Sequence, residues 1–231
     1  MNWAVIPARG GSKRVPRKNI RSFCGKPMIA WVIEALHKAG CFADIAVSTD
    51  SEEIADVARS YGVTVPFMRP DDLSDDMTGT TDVIAHAVAW ARGQGREYDS
   101  VTCAYATAPF LRPEDVLKAL SKLSEEGRDF VFPVTAFPAP IERAIRLNDR
   151  GDVSMDRPDH FATRSQDLAP VYHDAGQFYV GKPEAWLQKR KLFSEASGAL
   201  VLPGWRVQDI DTEDDWHRAE LMFRALGYDE N

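Results

Sequence analysis

Ala4-Val5-Ile6-Pro7-Ala8-Arg9-Gly10-Gly11-Ser12-Lys13-Arg14-Val15-Pro16-Arg17-Lys18-Asn19-Ile20 is the stretch that decides how this chain folds. The apolar run at residues 3–6 predicts a buried strand. The strand leads into a loop with two glycines, and residues 9–26 include seven Lys or Arg residues and no Asp or Glu. The whole chain has a formal net charge of -7. A basic loop in an acidic protein therefore indicates an anionic ligand.

The chemistry of the loop indicates that this anion is a phosphate. Gly10 and Gly11 permit backbone conformations that other residues avoid, and they let a ligand come close. Successive backbone N–H groups in such a turn form an anion-binding concavity, to which Arg and Lys add charge-assisted contacts. The loop is neither a P-loop nor a dinucleotide-binding fingerprint, because both glycine patterns are absent. A solvated basic loop between a strand and a helix is the structural alternative.

The loop also resembles the signature of the CMP-sialic acid synthetases. The matching residues are Ile6-Pro7-Ala8-Arg9-Gly10-Gly11-Ser12-Lys13, followed by Pro16, Lys18 and Asn19. That family consists of cytidylyltransferases that use CTP to activate nine-carbon keto-sugar acids. The resemblance implies that Arg9 and Lys18 contact the triphosphate, Ser12 contacts a phosphate, and Asn19 contacts the cytosine. The other residues expected at the nucleotide are Ala8, Gly10, Gly11, Arg69 and Thr80.

Composition limits the class of protein. With 231 residues, of which 44% are hydrophobic and 27% charged, the chain is typical of one globular domain, residues 1–231. No apolar stretch approaches the length of a membrane span and no signal peptide is visible, so we expect a cytoplasmic protein without a membrane partner. The three cysteines lack zinc-ligand spacing and do not suggest a disulfide framework. The negative charge argues against nucleic-acid binding.

Strand and helix patterns alternate along most of the chain. Helices are predicted to open at Pro27, Pro113 and Lys182-Pro183, and the first is predicted to end at Gly40. Three more are predicted to be capped by Ser51, by Thr80 or Thr81, and by Thr212. The predicted strands are residues 3–6, 44–48, 63–67, 100–105, 130–134, 176–181, 201–202 and 205–210. This alternation predicts an α/β fold in which helices cover both faces of a parallel sheet. The resemblance implies the Rossmann-like, three-layer nucleotidyltransferase form of that fold.

The topology of such a sheet predicts where a ligand binds. Right-handed crossovers put the loops that follow parallel strands at one edge of the sheet. Ligands bind at this edge, outside the carboxyl ends of the strands. We therefore expect the basic loop, Thr49-Asp50 and residues 105–112 to meet around the ligand.

Two acids near the end of the chain form a candidate metal site. Asp209 and Asp211 are two residues apart at the end of a predicted strand. Because successive side chains of a strand point to opposite faces, these two point the same way. Two carboxylates on one face suit Mg²⁺, which would also hold substrate phosphates. Helix capping is the alternative, since acids favour a helix N-terminus and Thr212 with Asp215 resembles a capping box. The family uses an Asp-x-Asp here to bind Mg²⁺, so the resemblance favours the metal.

Residues 136–175 interrupt the alternation of strands and helices. They contain four prolines after Ala136, mixed charge and no convincing amphipathic helix. Irregular segments of this length are uncommon in compact domains. In the family the corresponding stretch forms an arm that packs on a second subunit. The resemblance therefore implies a homodimer with 136–175 as the protruding dimerisation arm.

Together these features predict a CTP-dependent sugar-acid cytidylyltransferase. By resemblance, the anomeric hydroxyl of the sugar attacks the α-phosphorus of CTP and pyrophosphate leaves. Arg9, Lys18 and Asp211 are the expected catalytic residues. No catalytic triad is discernible, and phosphoryl-type transfer does not need one, because positioning and charge neutralisation carry most of the catalysis. A nucleotide-sugar-binding protein without turnover and an octulosonic acid enzyme are the alternatives.

Departures from the family pattern bear on which sugar acid is used. Most sialic acid synthetases carry Gln-Pro-Thr-Ser-Pro where this chain has Tyr105-Ala106-Thr107-Ala108-Pro109, and Asn-Gly-Ala is replaced by Ala175-Gly176-Gln177. Both replacements resemble the branch that activates pseudaminic acid, whereas N-acetylneuraminic and legionaminic acids are the alternative substrates. Neutral packing variation would explain the replacements without a change of substrate. The expected sugar-binding residues are Tyr105, Thr107, Arg164, Gln166 and Gln177.

Overall fold

The computed structural model describes residues 1–75 and 77–228. Within them the helices are α1 (Met28–Ala39), α2 (Glu52–Ser60), α3 (Thr80–Gly93), α4 (Pro113–Glu125), α5 (Pro183–Leu187) and α6 (Glu213–Ala225). The strands are β1 (Asn2–Pro7), β2 (Ser22–Phe23), β3 (Lys26–Pro27), β4 (Phe42–Ser48), β5 (Ser100–Ala104), β6 (Phe130–Ala136), β7 (Ile145–Leu147), β8 (Val153–Met155), β9 (Tyr172–Asp174), β10 (Phe178–Gly181) and β11 (Ser197–Val201). None of the described helices is long and apolar enough to cross a membrane.

The central sheet has the strand order β11-β6-β10-β5-β1-β4. β1 is parallel to both β4 and β5, and β11 is parallel to β6. β10 lies antiparallel between β5 and β6, and β9 pairs antiparallel with β6. The sheet is therefore mixed rather than wholly parallel as predicted. The reason is that β9 and β10 return from the 136–175 segment without a crossover helix, and only a parallel neighbour requires one.

Helices cover both faces of this sheet, which confirms the predicted three-layer α/β class. Ala4 and Ile6 of β1 pack in one apolar cluster with residues of α1, α2 and α4. Trp3 and Val5, on the opposite face of the same strand, pack with residues of α3 and α5. A strand that is buried on both faces has apolar residues at successive positions, which is why residues 3–6 do not alternate between apolar and polar.

Several predicted helix ends are confirmed. α1 ends at Gly40, whose φ of 63° is readily available only to glycine. The Ser51 hydroxyl caps α2 by accepting a hydrogen bond from the N–H of Ile54. Thr212 and Asp215 form a reciprocal capping box at α6. At α3 the prediction is wrong, because Gly79 is the N-cap and Thr80 is the first helical residue.

Two predicted strands are not regular strands in the structure. Residues 63–67 contribute only an isolated bridge between Thr64 and Ala46, followed by another between Met68 and Thr49. Residues 205–210 contain the end of a short 3₁₀ helix, Gly204–Arg206, and then irregular chain. Pro203 precedes that turn and has no N–H to donate, which ends the strand pairing that began at β11.

Most of residues 136–175 is exposed, and the part between β6 and β9, residues 137–171, lies outside the central sheet. β7 and β8 form an antiparallel hairpin inside it, with Ile145 opposite Met155. Six large side chains of the segment are more than a third exposed: Phe137, Ile145, Leu147, Val153, Phe161 and Tyr172. We call this set the apolar arm residues.

Candidate active site

The basic loop lies over the carboxyl ends of β1 and β4. The N–H of Ala8 donates to the carbonyl of Ser48 at 2.9 Å, and the N–H of Gly10 donates to Asp50 Oδ1 at 2.8 Å. A Cβ on Gly10 would lie 3.2 Å from the Cβ of Ser51, so the close approach of these two loops favours glycine. Neither Gly10 nor Gly11 has a left-handed φ, so the prediction that the pair provides unusual backbone conformations is wrong.

Asn19 and Lys18 tie the basic loop to the rest of the molecule. Asn19 Nδ2 donates to the carbonyl of Arg9 at 2.9 Å, and Asn19 is 9% exposed. Lys18 Nζ donates to the carbonyl of Ile210 at 2.6 Å and lies 3.3 Å from Asp211 Oδ1. The strongest cationic segment and the candidate metal segment, almost 200 residues apart in the chain, are therefore in direct contact.

A cavity of about 470 Å³ opens beside the loop. Cations and hydrogen-bonding side chains form most of its wall: Arg9, Ser12, Lys13, Arg14, Lys18, Asn19, Tyr105, Thr107 and Asp211. The residues come from the basic loop, from the chain after β5 and from the acidic segment before α6. A dense positive wall with one carboxylate at its edge suits a polyphosphate.

Arg69 lies beneath the same sheet edge with its charge largely out of water. Its side chain is 4% exposed, and its Nη2 lies 3.9 Å from Asp50 Oδ1. Burial lowers the pKa of Arg69, the charge of Asp50 raises it, and the charge of Arg9 lowers it further. Within the described part of the chain, its Nε and Nη2 have no hydrogen-bond partner. Buried guanidinium nitrogens without partners are costly, and Arg69 is not among the residues that line the basic cavity.

Asp209 and Asp211 lie side by side, although their segment is not a strand. Ile210 between them is fully buried, so the two carboxylates share the opposite, open side. Both line a second cavity of about 790 Å³. Because Asp211 also lines the basic cavity, the two cavities meet at this carboxylate. The acidic pair therefore lies at the boundary between the basic cavity and the larger second cavity.

Electrostatics at the acidic pair fit a bound cation. Desolvation raises the pKa of Asp209, and the neighbouring charge of Asp211 raises it further, against the opposing effect of Lys18. Asp174 adds a third negative charge that raises it again. Asp211 forms an ion pair with Arg14, Nη2 to Oδ1, at 2.9 Å. Within the described chain no group of three or more His, Cys, Asp or Glu side chains that could hold a metal ion occurs.

The predicted sugar-binding residues fall into three places. Tyr105 and Thr107 line the basic cavity. Gln177 is 3% exposed, and its Nε2 donates to the carbonyl of Arg206 at 3.2 Å. Arg164 and Gln166 lie in the exposed segment, where Arg164 Nε donates to Asp167 at 2.8 Å, and neither is among the residues that line the two cavities.

Three charged residues at the site had no role in the predicted set. Lys13 and Arg14 line the basic cavity, and Asp174 lines the second cavity. The density of cations in the basic loop was a signal for the first two. Asp50, which was expected at the ligand edge of the sheet, accepts the N–H of Gly10 and lies 3.9 Å from Arg69. No sequence signal pointed to Asp174, because its placement depends on the antiparallel return of β9.

Comparison with known proteins shows the family of this chain. A sequence model of the cytidylyltransferases matches residues 3–196. The chain belongs to the cytidylyltransferase family. This confirms the predicted enzyme class, CTP-dependent transfer of a nucleotidyl group. The family generally uses divalent metal ions.

Several relatives match this cytidylyltransferase over nearly its whole length. The pseudaminic acid cytidylyltransferase of Campylobacter jejuni is 44% identical over 97% of this chain and 97% of its own. The CMP-N,N'-diacetyllegionaminic acid synthase of Legionella pneumophila is 33% identical over 95% of this chain and 94% of its own. A solved CMP:2-keto-3-deoxy-manno-octonic acid synthetase complexed with CTP matches with a TM-score of 0.72 at 19% identity, over 97% of this chain and 99% of that one. That structural likeness concerns the fold alone.

Proposed function

We propose that this cytidylyltransferase activates pseudaminic acid with CTP and releases CMP-pseudaminic acid and pyrophosphate. The observation that carries the proposal is the 44% identity, over nearly the full length of both chains, with a pseudaminic acid cytidylyltransferase. The replacement at Tyr105 supports the same branch, because it changes a hydrogen-bonding group in the wall of the basic cavity. In the reaction, the anomeric oxygen of the sugar forms a bond to the α-phosphorus, and the bond from that phosphorus to the bridging oxygen breaks.

The triphosphate binds in the basic cavity under this proposal. Arg9 and Lys18 neutralise the negative charge that develops on the phosphates, and Ser12 and the adjacent backbone provide hydrogen bonds. Asn19, held by the carbonyl of Arg9, contacts the cytosine. Arg69, buried beside Asp50 under the same sheet edge, adds positive charge beneath the nucleotide. The sugar acid then approaches from the larger cavity, and its hydroxyl meets the α-phosphorus near Asp211, where the cavities join.

Asp209 and Asp211 would hold a divalent cation, which we propose is Mg²⁺. When bound, that ion polarises the phosphate and neutralises charge on it. The two carboxylates would be held in place for the ion, because Ile210 between them is buried in the core and Lys18 donates to the Ile210 carbonyl. Arg14 and Lys18 balance the charge of Asp211 when the nucleotide is absent. They are then placed to turn toward the phosphates.

We further propose that 136–175 is a dimerisation arm within one domain, and that the enzyme is a homodimer. The apolar arm residues support this, since large apolar side chains that are exposed together in one segment are typical of an interaction site. Arg164 and Gln166 lie on this arm rather than at the cavities of their own subunit. A partner's arm would allow these two residues to reach the sugar acid of the neighbouring subunit.

One coupled assay tests the reaction and its substrate. Pyrophosphate release from CTP is measured with pseudaminic, legionaminic and N-acetylneuraminic acids in parallel, and the nucleotide product is identified by mass spectrometry. We expect pseudaminic acid to give the highest kcat/KM. Equal or better use of N-acetylneuraminic or legionaminic acid would overturn the choice of sugar and leave the reaction class standing. No pyrophosphate release with any of the acids would overturn the proposal as a whole.

A further inference from the structure

Arg14 and Asp211 meet because the residues beside them in the chain are buried together. Val15 and Ile210 are fully buried and belong to one apolar cluster. The Val15 carbonyl also accepts a hydrogen bond from the Ser12 hydroxyl at 2.6 Å, which ties the backbone on both sides of Arg14. Burial thus fixes the two backbone segments, and both Arg14 and Asp211 lie in the wall of the basic cavity.

Two cations share one oxygen of Asp211, and they are held very differently. Arg14 Nη2 lies 2.9 Å from Asp211 Oδ1, and Lys18 Nζ lies 3.3 Å from the same atom. The Lys18 side chain is 19% exposed, and its Nζ also donates to the Ile210 carbonyl at 2.6 Å. The Arg14 side chain is 67% exposed, and an exposed ion pair adds little stability. Arg14 can therefore leave the carboxylate at low cost, whereas Lys18 is anchored.

The ion pair engages the carboxylate that the proposed metal site needs. Asp211 would hold the divalent cation together with Asp209, and a guanidinium 2.9 Å from Oδ1 repels any further positive charge at that carboxylate. While Arg14 stays on Asp211, it therefore opposes metal binding.

A triphosphate in the basic cavity would reverse this balance. Arg14 lines the cavity together with Arg9, Ser12 and Lys18. A guanidinium binds phosphate oxygens in bidentate geometry, and a triphosphate offers more negative charge than one exposed carboxylate. Movement of Arg14 from Asp211 to the phosphates would remove a positive charge from the carboxylate. The same carboxylate would then be available to a divalent cation.

We propose that Arg14 is a positioning residue that couples the nucleotide to the metal. It pairs with Asp211 when no nucleotide is bound and with the triphosphate when one is. The inference rests on the proposed function and adds an order to it, since the divalent cation then binds with the nucleotide or after it. By thermodynamic linkage, this exchange makes each ligand raise the affinity for the other.

The test measures each ligand in the absence of the other, because Mn²⁺ also binds CTP directly. Electron paramagnetic resonance of free Mn²⁺ gives the Kd of the metal without nucleotide. Calorimetry in EDTA gives the Kd of CTP without metal. Neither measurement depends on turnover.

Arg14→Met should change the two constants in opposite directions. We expect it to bind Mn²⁺ about fivefold more tightly than the wild type, the equivalent of one exposed ion pair. It should bind metal-free CTP about tenfold more weakly, because one charged contact to phosphate is lost. Local damage to the loop would instead weaken the binding of both ligands.

Arg17→Met is the matched control. Arg17 lies in the same loop, carries the same charge and has a side chain that is 66% exposed, but it pairs with Glu53 and is not among the residues that line the basic cavity. Both constants should stay within twofold of wild type. Arg14→Gln repeats the test if thermal melting shows that Arg14→Met is poorly folded.

The possible outcomes separate this inference from the proposed function. Unchanged or weaker Mn²⁺ binding by Arg14→Met would overturn it, and so would unchanged CTP binding. An equal gain in Mn²⁺ affinity in Arg17→Met would also overturn it, because it would show a general effect of loop charge. Failure of the wild type to use pseudaminic acid would contradict the proposed sugar and leave this inference standing, since neither measurement includes a sugar acid. A wild type that does not bind CTP would overturn both.

Discussion

Replacing Lys18 with methionine tests the link between the basic loop and the acidic pair. Methionine keeps a flexible, unbranched side chain and removes the ammonium group. In the structure that group donates to the Ile210 carbonyl at 2.6 Å and lies 3.3 Å from Asp211 Oδ1. The Lys18 side chain is 19% exposed, so bulk water cannot fully replace either contact or the expected contact with phosphate.

The magnitude follows from the number and kind of interactions lost. Removing one preorganised donor from a developing negative charge costs about 2.7–4 kcal/mol in the transition state. Since about 1.36 kcal/mol corresponds to a tenfold change in rate, kcat should fall by about 100- to 1000-fold. The lost hydrogen bond to the Ile210 carbonyl should also reduce the free energy of unfolding by about 1.5–3 kcal/mol, because its donor is charged.

Two measurements separate these effects. Pyrophosphate release gives kcat and KM at saturating CTP and metal, and urea denaturation gives the free energy of unfolding. Lys38→Met, an exposed lysine at the end of α1, is the control and should stay within twofold in kcat. A folded Lys18→Met enzyme with kcat within threefold of wild type would refute the reasoning. Loss of stability with retained kcat would mean that Lys18 only ties the two segments together.

Three further predictions concern charge, stability and assembly. Asp209→Asn should abolish turnover. It should also raise Tm near neutral pH in the absence of metal. Because the pKa of Asp209 is raised in the folded state, the ionised carboxylate lowers the stability of the wild type, and the neutral amide removes that cost. This gain should disappear at a pH below the ordinary carboxyl pKa, where wild-type Asp209 is protonated in both states, and a Tm difference that persists there would contradict it. Asp115→Ala should lower the free energy of unfolding by about 3–5 kcal/mol in denaturant titration. The reason is that the buried Arg206 guanidinium, which lies 2.5 Å from Asp115 Oδ2 in the wild type, would lose its partner. A loss of less than about 1 kcal/mol would contradict this prediction. Phe161→Glu should convert a homodimer to a monomer in light scattering, since Phe161 is 77% exposed on the arm; a wild-type monomer at micromolar concentration would exclude the dimer.

Much of the fold was predictable from local patterns. The buried strand β1, the glycine end of α1 and the capping box at Thr212 are set by residues close in sequence. Periodicity and capping report such local features well, because they depend on side-chain direction and on the unpaired backbone groups at helix ends. The same patterns misplaced Thr80, whose hydroxyl bonds to Tyr105 rather than capping α3.

The candidate site was predictable in part. Resemblance and charge density pointed to Arg9, Lys18 and the acidic pair. The structure brings Lys18 into contact with Asp211 and places Arg9 in the wall of the same cavity. The argument for the acidic pair used strand alternation, yet the segment is irregular. Its carboxylates share one side because Ile210 is buried in the core between them. Here the conclusion about side-chain direction held for a different physical reason.

The sequence by itself determined the layered α/β class, the basic loop after β1 and the cytidylyltransferase family, because each is encoded in short contiguous stretches. Only the tertiary structure decided the antiparallel place of β10, the unpartnered nitrogens of Arg69 and the hydrogen bond from Tyr179 to Asp174. These features join residues that are far apart in the chain. Their pairing depends on sheet order and on burial in the folded molecule, which no local sequence pattern specifies.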